Sequence, residues 1–238
     1  MTEQKQSHDF YTQYLEEHTF ADILAEGKEK KKVSNLIINP KIQSLDGFIY
    51  VPSINLYVAE EKTCLGKNWF ECHEKLQKEK MRMLTISEFL EFLKYTEKNH
   101  SEIYNKITKI VEPSRTEWLD AFLKKEGEYL RICSKPIFDS LGGILRHLEI
   151  RTLNKDTLME NRLSGISLDD WIKNPTSLGF PRENVKPGNL YYWPPEAENN
   201  GDFVAHFNTD FSRNSFYFKT PHSSYTCDGV HAVLPIIN

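Results

Sequence analysis

A chain of 238 residues with 39% hydrophobic and 12% aromatic side chains is long enough to bury a substantial core and too apolar to be a disordered chain. Its 30 basic and 34 acidic side chains leave a formal net charge of -4, which gives no long-range attraction to phosphate backbones or anionic lipid, so no nucleic-acid partner is expected. No run approaches the about 20 apolar residues of a spanning helix, and MTEQKQSHDFYTQYLEEHTF has neither the basic nor the apolar segment of a secretory signal, so no membrane insertion is expected; cytoplasm, a virion or display by an unconventional route all stay open.

Phe10, Tyr14, Phe20, Ile23 and Leu24 stand at helical spacing before Gly27 and predict one or two short helices within an N-terminal helical extension over residues 1–46. The basic run Lys28 to Lys32 is interrupted by Glu29 and follows Glu26, which reads as a solvated link. From Gly47 onward Ile49, Val51, Ile54, Leu56 and Val58, broken by Pro52 and Ser53, predict a hairpin or bent strand. Trp69, Phe70, Cys72, His73 and Leu76 form the next helical stripe.

Thr85-Ile86-Ser87-Glu88 has the form of a capping box and opens a helix whose inward residues are Phe89, Leu90, Phe92, Leu93 and Tyr95. Ser114-Arg115-Thr116-Glu117 has the same form before Trp118, Leu119, Phe122 and Leu123, and Ser167-Leu168-Asp169-Asp170 precedes Trp171 and Ile172, so two further helices are predicted. After Pro175, Pro, Gly, Asn and aromatic residues signal turns and short strands. Gly188 to Trp193 reads as one strand. Alternation then separates Phe203, Ala205 and Phe207 from Val204, His206 and Asn208, Phe216 and Phe218 from Ser215, Tyr217 and Lys219, and Val230, Ala232 and Leu234 from His231 and Val233.

Little of this carries catalytic chemistry. Cys72 and His73 are adjacent on a helix and point about 100° apart, so with Cys64 they do not make a ready metal cluster. The four cysteines, Cys64, Cys72, Cys133 and Cys227, show no CxxC spacing and are expected as reduced thiols. Asp169 and Asp170 sit where a helix N-terminus favours negative charge. No phosphate-binding, zinc-protease, calcium-loop or serine-hydrolase motif is present, and Leu141-Gly142-Gly143 reads as a turn. No cofactor or metal is expected, and no catalytic residue is assigned.

The tail is the compositional anomaly. From Asn199 on there is no Glu, Gln, Met or Trp, and Lys219 is the only lysine. Ser, Asn, His, Tyr, Phe and Asp replace them, the mixture of rigid aromatics and adaptable hydrogen-bonding groups found in antibody-like paratopes. Turn-rich β structure alone would also disfavour Glu, Lys and Met. Composition does not separate the two readings.

Gly66-Lys67-Asn68-Trp69 through Met83-Leu84-Thr85-Ile86-Ser87-Glu88-Phe89 resembles a segment of the formylglycine-generating-enzyme branch of C-type lectin folds, and Gly229-Val230-His231-Ala232-Val233 is similar to the closing strand of those proteins. Together with Tyr191-Tyr192-Trp193-Pro194 and Val204-Ala205-His206-Phe207, it resembles archaeal variable proteins diversified by retroelements. The resemblance implies an α+β, C-type lectin-like domain over residues 47–238, following the helical extension, with a variable ligand-binding region at about 191–233. In that family adenine-directed mutagenesis acts on AAY codons, which cannot become codons for Glu, Gln, Lys, Met or Trp. The absences in the tail fit that rule.

By the same resemblance the exposed contact residues are His206, Asn208, Asp210, Ser212, Arg213, Ser215, Tyr217, His222, Ser223, Ser224, Tyr225 and His231. Phe203, Ala205, Phe207, Phe216, Phe218, Val230 and Ala232 are the fixed inner face, Trp193 borders the site, Lys219 is fixed, and Phe211 and Asn214 are unassigned. The implied function is recognition of variable macromolecular targets, a protein or cell-surface ligand, without a covalent step. Two alternatives remain: an oxidoreductase of the formylglycine-generating branch, which needs Cys227 to face a partner cysteine or a metal, and a virion or surface structural module.

Overall fold

The computed structural model describes residues 45–109, 115–126, 129–138, 144–153, 160–194, 202–209, 214–223 and 228–235. The helical extension over 1–46, all but its last two residues, and the turn at Leu141–Gly143 lie outside the described residues. The hairpin is as predicted. Strand β1 (Phe48–Val51) pairs with β2 (Leu56–Ala59), and Asn55 closes the turn at φ +53°, a left-handed conformation that Asn tolerates better than most residues.

Helix α1 (Trp69–Lys78) starts at Asn68, whose side chain accepts from the Glu71 amide at 3.0 Å while Glu71 accepts from the Asn68 amide at 2.8 Å. Its buried stripe is Trp69, Cys72, His73 and Leu76. After the short strand β3 (Arg82–Met83), helix α2 (Ile86–Asn99) opens on the predicted capping box, with the Glu88 amide donating to Thr85 Oγ1 at 3.3 Å and the Thr85 amide to Glu88 at 2.9 Å. Arg82 clamps the same Glu88 carboxylate through two 2.7 Å hydrogen bonds. A Thr85→Ala variant is expected to lose about 1 kcal/mol, the usual worth of an N-cap hydroxyl, seen as a lower urea midpoint with an unchanged slope. An unanticipated helix, α3 (Ser101–Thr108), follows and buries Ile103 and Ile107.

The predicted helix after Ser114 is a strand, β4 (Arg115–Glu126). Glu117 does not reach back to cap a helix; its carboxylate is committed to His231, far along the chain. Alternation also serves the segment better than a helical stripe, because Trp118 and Phe122 enter one core while Leu119 and Ala121 enter another. Tertiary pairing therefore overrides the local cap signal.

β4 lies inside the larger sheet with β5 (Tyr129–Phe138), β6 (Ile144–Thr152), β7 (Arg162–Ile166), β8 (Leu190–Tyr192), β9 (Phe203–Thr209) and β10 (Asn214–Lys219). Their order is β6-β5-β4-β9-β10-β8-β7, and β11 (Asp228–Gly229) runs parallel to the start of β4. Helix α4 (Leu168–Lys173) is capped by Ser167, which accepts from the Asp170 amide at 3.2 Å. The final strand β12 (Ala232–Pro235) returns to the first hairpin and completes the four-stranded sheet β1-β2-β12-β3. The described architecture is mixed α+β and mostly sheet.

Two apolar clusters border the centre of the large sheet. On one side α2 and α4 bring Phe89, Phe92, Leu93 and Trp171 against Phe207, Phe216 and Leu190. On the other, α1 brings Trp69, Cys72 and Leu76 against Trp118, Phe122 and Val204. No helix among the described residues is long and apolar enough to cross a membrane.

Candidate binding face

Strand register determines which tail residues share a face. β9 and β10 are antiparallel, with Asn208 opposite Ser215 and His206 opposite Tyr217. β4 extends these rows on one side, with Thr116 opposite Asn208 and Trp118 opposite His206; β8 extends them on the other, with Tyr191 opposite Ser215. Two rows of side chains therefore cross the sheet, one over four strands and the other over three. One runs Thr116, Asn208, Ser215, Tyr191, and the other Trp118, His206, Tyr217.

The reverse side of the same strands is core. Ala205, Phe207 and Phe216 are buried, Phe216 lies 4.8 Å from the Trp171 ring, and Phe218 packs against this cluster. Asn214 belongs to this inner side, where its amide donates to the Thr108 carbonyl at 2.7 Å. Along the outer rows burial falls from β4 towards β8. Trp118 and Thr116 are buried, whereas Asn208, Ser215, Tyr217 and Tyr191 are partly exposed and Trp193 is 48% exposed. The Trp193 amide continues the pairing by donating to Phe216 O at 2.9 Å.

Two predicted contact residues are not on the surface. His206 is fully buried, its ring 4.6 Å from Trp118 and 4.9 Å from Tyr217. β9 is flanked by β4 and β10 and has a cluster on each face, so its non-apolar face is only partly wet. His231 is 3% exposed between buried Val230 and Ala232. Its Nδ1 lies 2.8 and 2.9 Å from the two Glu117 oxygens, and its ring packs on Phe92 at 5.4 Å. It is a core hydrogen-bond partner of Glu117.

Five predicted contacts, Asp210, Ser212, Arg213, Ser224 and Tyr225, lie outside the described residues, as do Phe211 and Cys227. The remaining five can meet solvent. Asn208, Ser215, Tyr217 and Ser223 are partly exposed and His222 is exposed. Segment 220–223 is anchored to α1, since the Trp69 amide donates to Pro221 O at 3.1 Å and the Phe70 ring meets His222 at 4.9 Å. Asn208 Oδ1 has no hydrogen-bond partner among the described residues.

The sequence reading set Lys219 aside as fixed, yet it sits on this face, with Nζ 5.7 Å from the Trp118 ring and 5.5 Å from the Tyr217 ring. A cation over two aromatic faces holds Tyr217 in place and adds positive charge to the patch. Tyr191, which opens the variable region at about 191–233 but is not among the expected contact residues, also lies on this face. The signal that could have found it is its period-two relation to Trp193 beside β10.

Under this face the titratable groups are paired into the scaffold. Burial alone would raise the Glu117 carboxyl, but the charges of His231 and Lys62 and hydrogen bonds from His231 hold it at about 2. His73 Nε2 lies 3.4 Å from the buried Asp120 carboxylate, and Asp120 also accepts from the Lys135 amide at 2.9 Å. Cys72 turns instead towards the carbonyls of Cys64 and Lys67. Among the described residues no group of three His, Cys, Asp or Glu side chains is placed to hold a metal ion.

Comparisons with protein families, curated proteins and solved structures find no match. The functional reading therefore rests on the chain's own sequence and geometry.

Proposed function

We propose that the outer face of β9 and β10 is a macromolecule-binding surface on a C-type lectin-like scaffold, with its contact residues diversified by a retroelement. One observation carries the reading. Asn208, Ser215 and Tyr217 reach solvent from strands whose alternate residues, Phe207 and Phe216, are locked in the core. Outer positions can then change without repacking the interior, and a rigid backbone lowers the ordering cost of contact. Tyr217, Tyr191 and Trp193 supply aromatic anchor area, while Asn208, Ser215 and Ser223 supply adaptable hydrogen bonds.

The scaffold half has separate support. The segments that carry the lectin-like resemblance are spatial neighbours, since Met83 pairs with Ala232 and Arg82 with Val233 in one sheet. Binding requires no covalent step, and a protein or cell-surface ligand suits a patch of this character better than nucleic acid, given the net charge of -4.

Two measurements test the proposal. A displayed library randomised at Asn208, Ser215, Tyr217, His222 and Ser223, panned against immobilised proteins, is expected to yield folded binders of about micromolar affinity or better. Randomising His206 and His231 instead is expected to unfold most clones. Failure of the first library to give clones that both fold and bind overturns the surface reading. The diversification half requires a near-repeat of the tail beside the gene, differing where the template has adenine, with a reverse transcriptase nearby; without them only the binding half stands.

A further inference from the structure

A strand that ends a sheet bares a row of backbone hydrogen-bonding groups, and three of the four that end the two sheets are blunted. β1 and β3 have four and two residues, and β7 shifts its register between Arg162 and Ile166. β6 is different. It has nine residues without a proline, keeps one register with β5 from His147 to Thr152, and among the described residues no strand pairs with its outer edge. Leu148 to Thr152 are all exposed, with Leu148 at 59% and Ile150 at 50%.

The ladder sets which groups that edge presents. Leu153 donates its amide to Leu130 O at 2.9 Å, and the two stand opposite one another in the register that pairs Arg131 with Thr152 and Cys133 with Ile150. Residues of an antiparallel strand alternate between bonding to the neighbour and turning away from it. Arg151 and Glu149 therefore spend their backbone groups on β5, while Leu148, Ile150 and Thr152 turn N–H and C=O outwards. Side chains alternate too, with Leu148, Ile150 and Thr152 on one side of the sheet and Glu149 and Arg151 on the other.

We infer that β6 is the interface for a second copy of this chain, its outer edge paired antiparallel with the same edge across a two-fold axis at Ile150. Outward-turned residues must oppose outward-turned residues, so only registers that set even-numbered positions against even-numbered ones are open. With the axis at Ile150, that residue meets its own copy, Leu148 meets Thr152 of the second copy, and Glu149 meets Arg151 of the second copy, twice by symmetry. Moving the axis to Glu149 or to Arg151 sets like charges directly opposite. Glu149 also meets Lys135 and lies 3.4 Å from Ser134 Oγ in its own chain, but its side chain is 45% exposed and open to a second cation. The charges that repel an arbitrary strand thus select an identical one. β5 and β4 separate β6 from β9, so the pair would carry the outer face of β9 and β10 twice; the pairing holds whether or not that face binds a ligand.

Sedimentation velocity of the full chain from about 1 to about 500 micromolar, the range of a small transient interface, is expected to show single chains giving way to pairs. Glu149→Arg or Arg151→Glu alone puts like charges at both symmetry-related positions and is expected to weaken association at least about tenfold. An equimolar mixture of the two variants is expected to associate as the wild type does, because each swapped side chain then meets its opposite charge. Circular dichroism checks that both variants are folded. A chain that stays single throughout, a pair indifferent to both variants, or a mixture no tighter than its components overturns the inference. Amide hydrogen exchange of the wild type decides the matter without any variant: protection at Leu148, Ile150 and Thr152 is expected to rise with concentration while Glu149 and Arg151, already bonded to β5, stay constant. Exchange at those three that ignores concentration overturns it equally.

Discussion

Replacing Glu117 with glutamine is expected to cost about 3–5 kcal/mol near neutral pH, because it breaks a buried cluster by removing the carboxylate that faces Lys62 and accepts from the His231 amide and ring. The carboxylate is 1% exposed, accepts from the His231 amide at 3.0 Å and from its ring at 2.8 Å, and lies 3.6 Å from Lys62 Nζ. Lys62 in turn donates to Thr116 O at 2.9 Å. The cluster therefore joins β4, the loop after β2 and the approach to β12, which are remote in sequence. The pH dependence follows from the depressed carboxyl. A group whose folded value, about 2, lies below its ordinary 4.5 adds stability fully present above about pH 4.5 and lost as pH falls towards 2. Its size is about 3 kcal/mol. Urea denaturation of wild type and Glu117→Gln across that range is expected to show the difference between them shrinking steadily as acid is added. A difference that stays constant would mean that Glu117 is not the titrating partner. A cycle with His231→Asn is expected to show strong coupling, since the two residues share hydrogen bonds.

The same cluster explains where sequence reasoning stopped. The hairpin across Pro52 and Ser53 and the caps at Thr85 and Ser167 were legible because each depends on residues within a few positions of one another. Ser114 to Glu117 offers equally good cap chemistry, yet β9 and β11 supply pairing that no local window contains. The tail divided in the same way. Alternation located Asn208, Ser215 and Tyr217 opposite Phe207 and Phe216, a relation internal to each strand. It misplaced His206 and His231 because period two says which residues share a face, not whether that face meets water. α1 brings Trp69 against the outer face of β9, and Glu117 is carried to His231 by β4; both partners lie more than a hundred residues upstream. Lys219 was set aside for the codon rule, although its cation lies over Tyr217 whatever its origin.

Gly165→Ala is expected to destabilise the chain by more than about 3 kcal/mol, and the loss should begin at the edge that supports the binding face. Gly165 has φ +97°, and a Cβ there would lie 1.9 Å from Gly188 O, an overlap with backbone that no rotamer relieves. The reason is a bulge. Between Arg162 opposite Tyr192 and Ile166 opposite Leu190, β7 spends four steps where β8 spends two, and Gly165 absorbs the excess in a conformation closed to most side chains. Gly188 is equally tight, since a Cβ on it would lie 2.5 Å from Ser167 Cα, so β8 has little room to retreat. Displacing β8 withdraws the neighbour of β10, because Tyr191 and Tyr192 pair with Ser215 and Phe216, and shifts Ser167, which caps the helix carrying Trp171 onto Phe216. Gly47→Ala is the matched control: its φ is +73° but nothing lies within 4 Å of the added methyl, so only the conformational term, about 1 kcal/mol, is expected. Chemical denaturation of both variants separates strain from overlap, and hydrogen exchange at Tyr192 and Phe216 locates the damage. Equal stability of the two variants would show that β7 and β8 can part without cost, and that the outer face does not depend on this edge for its rigidity.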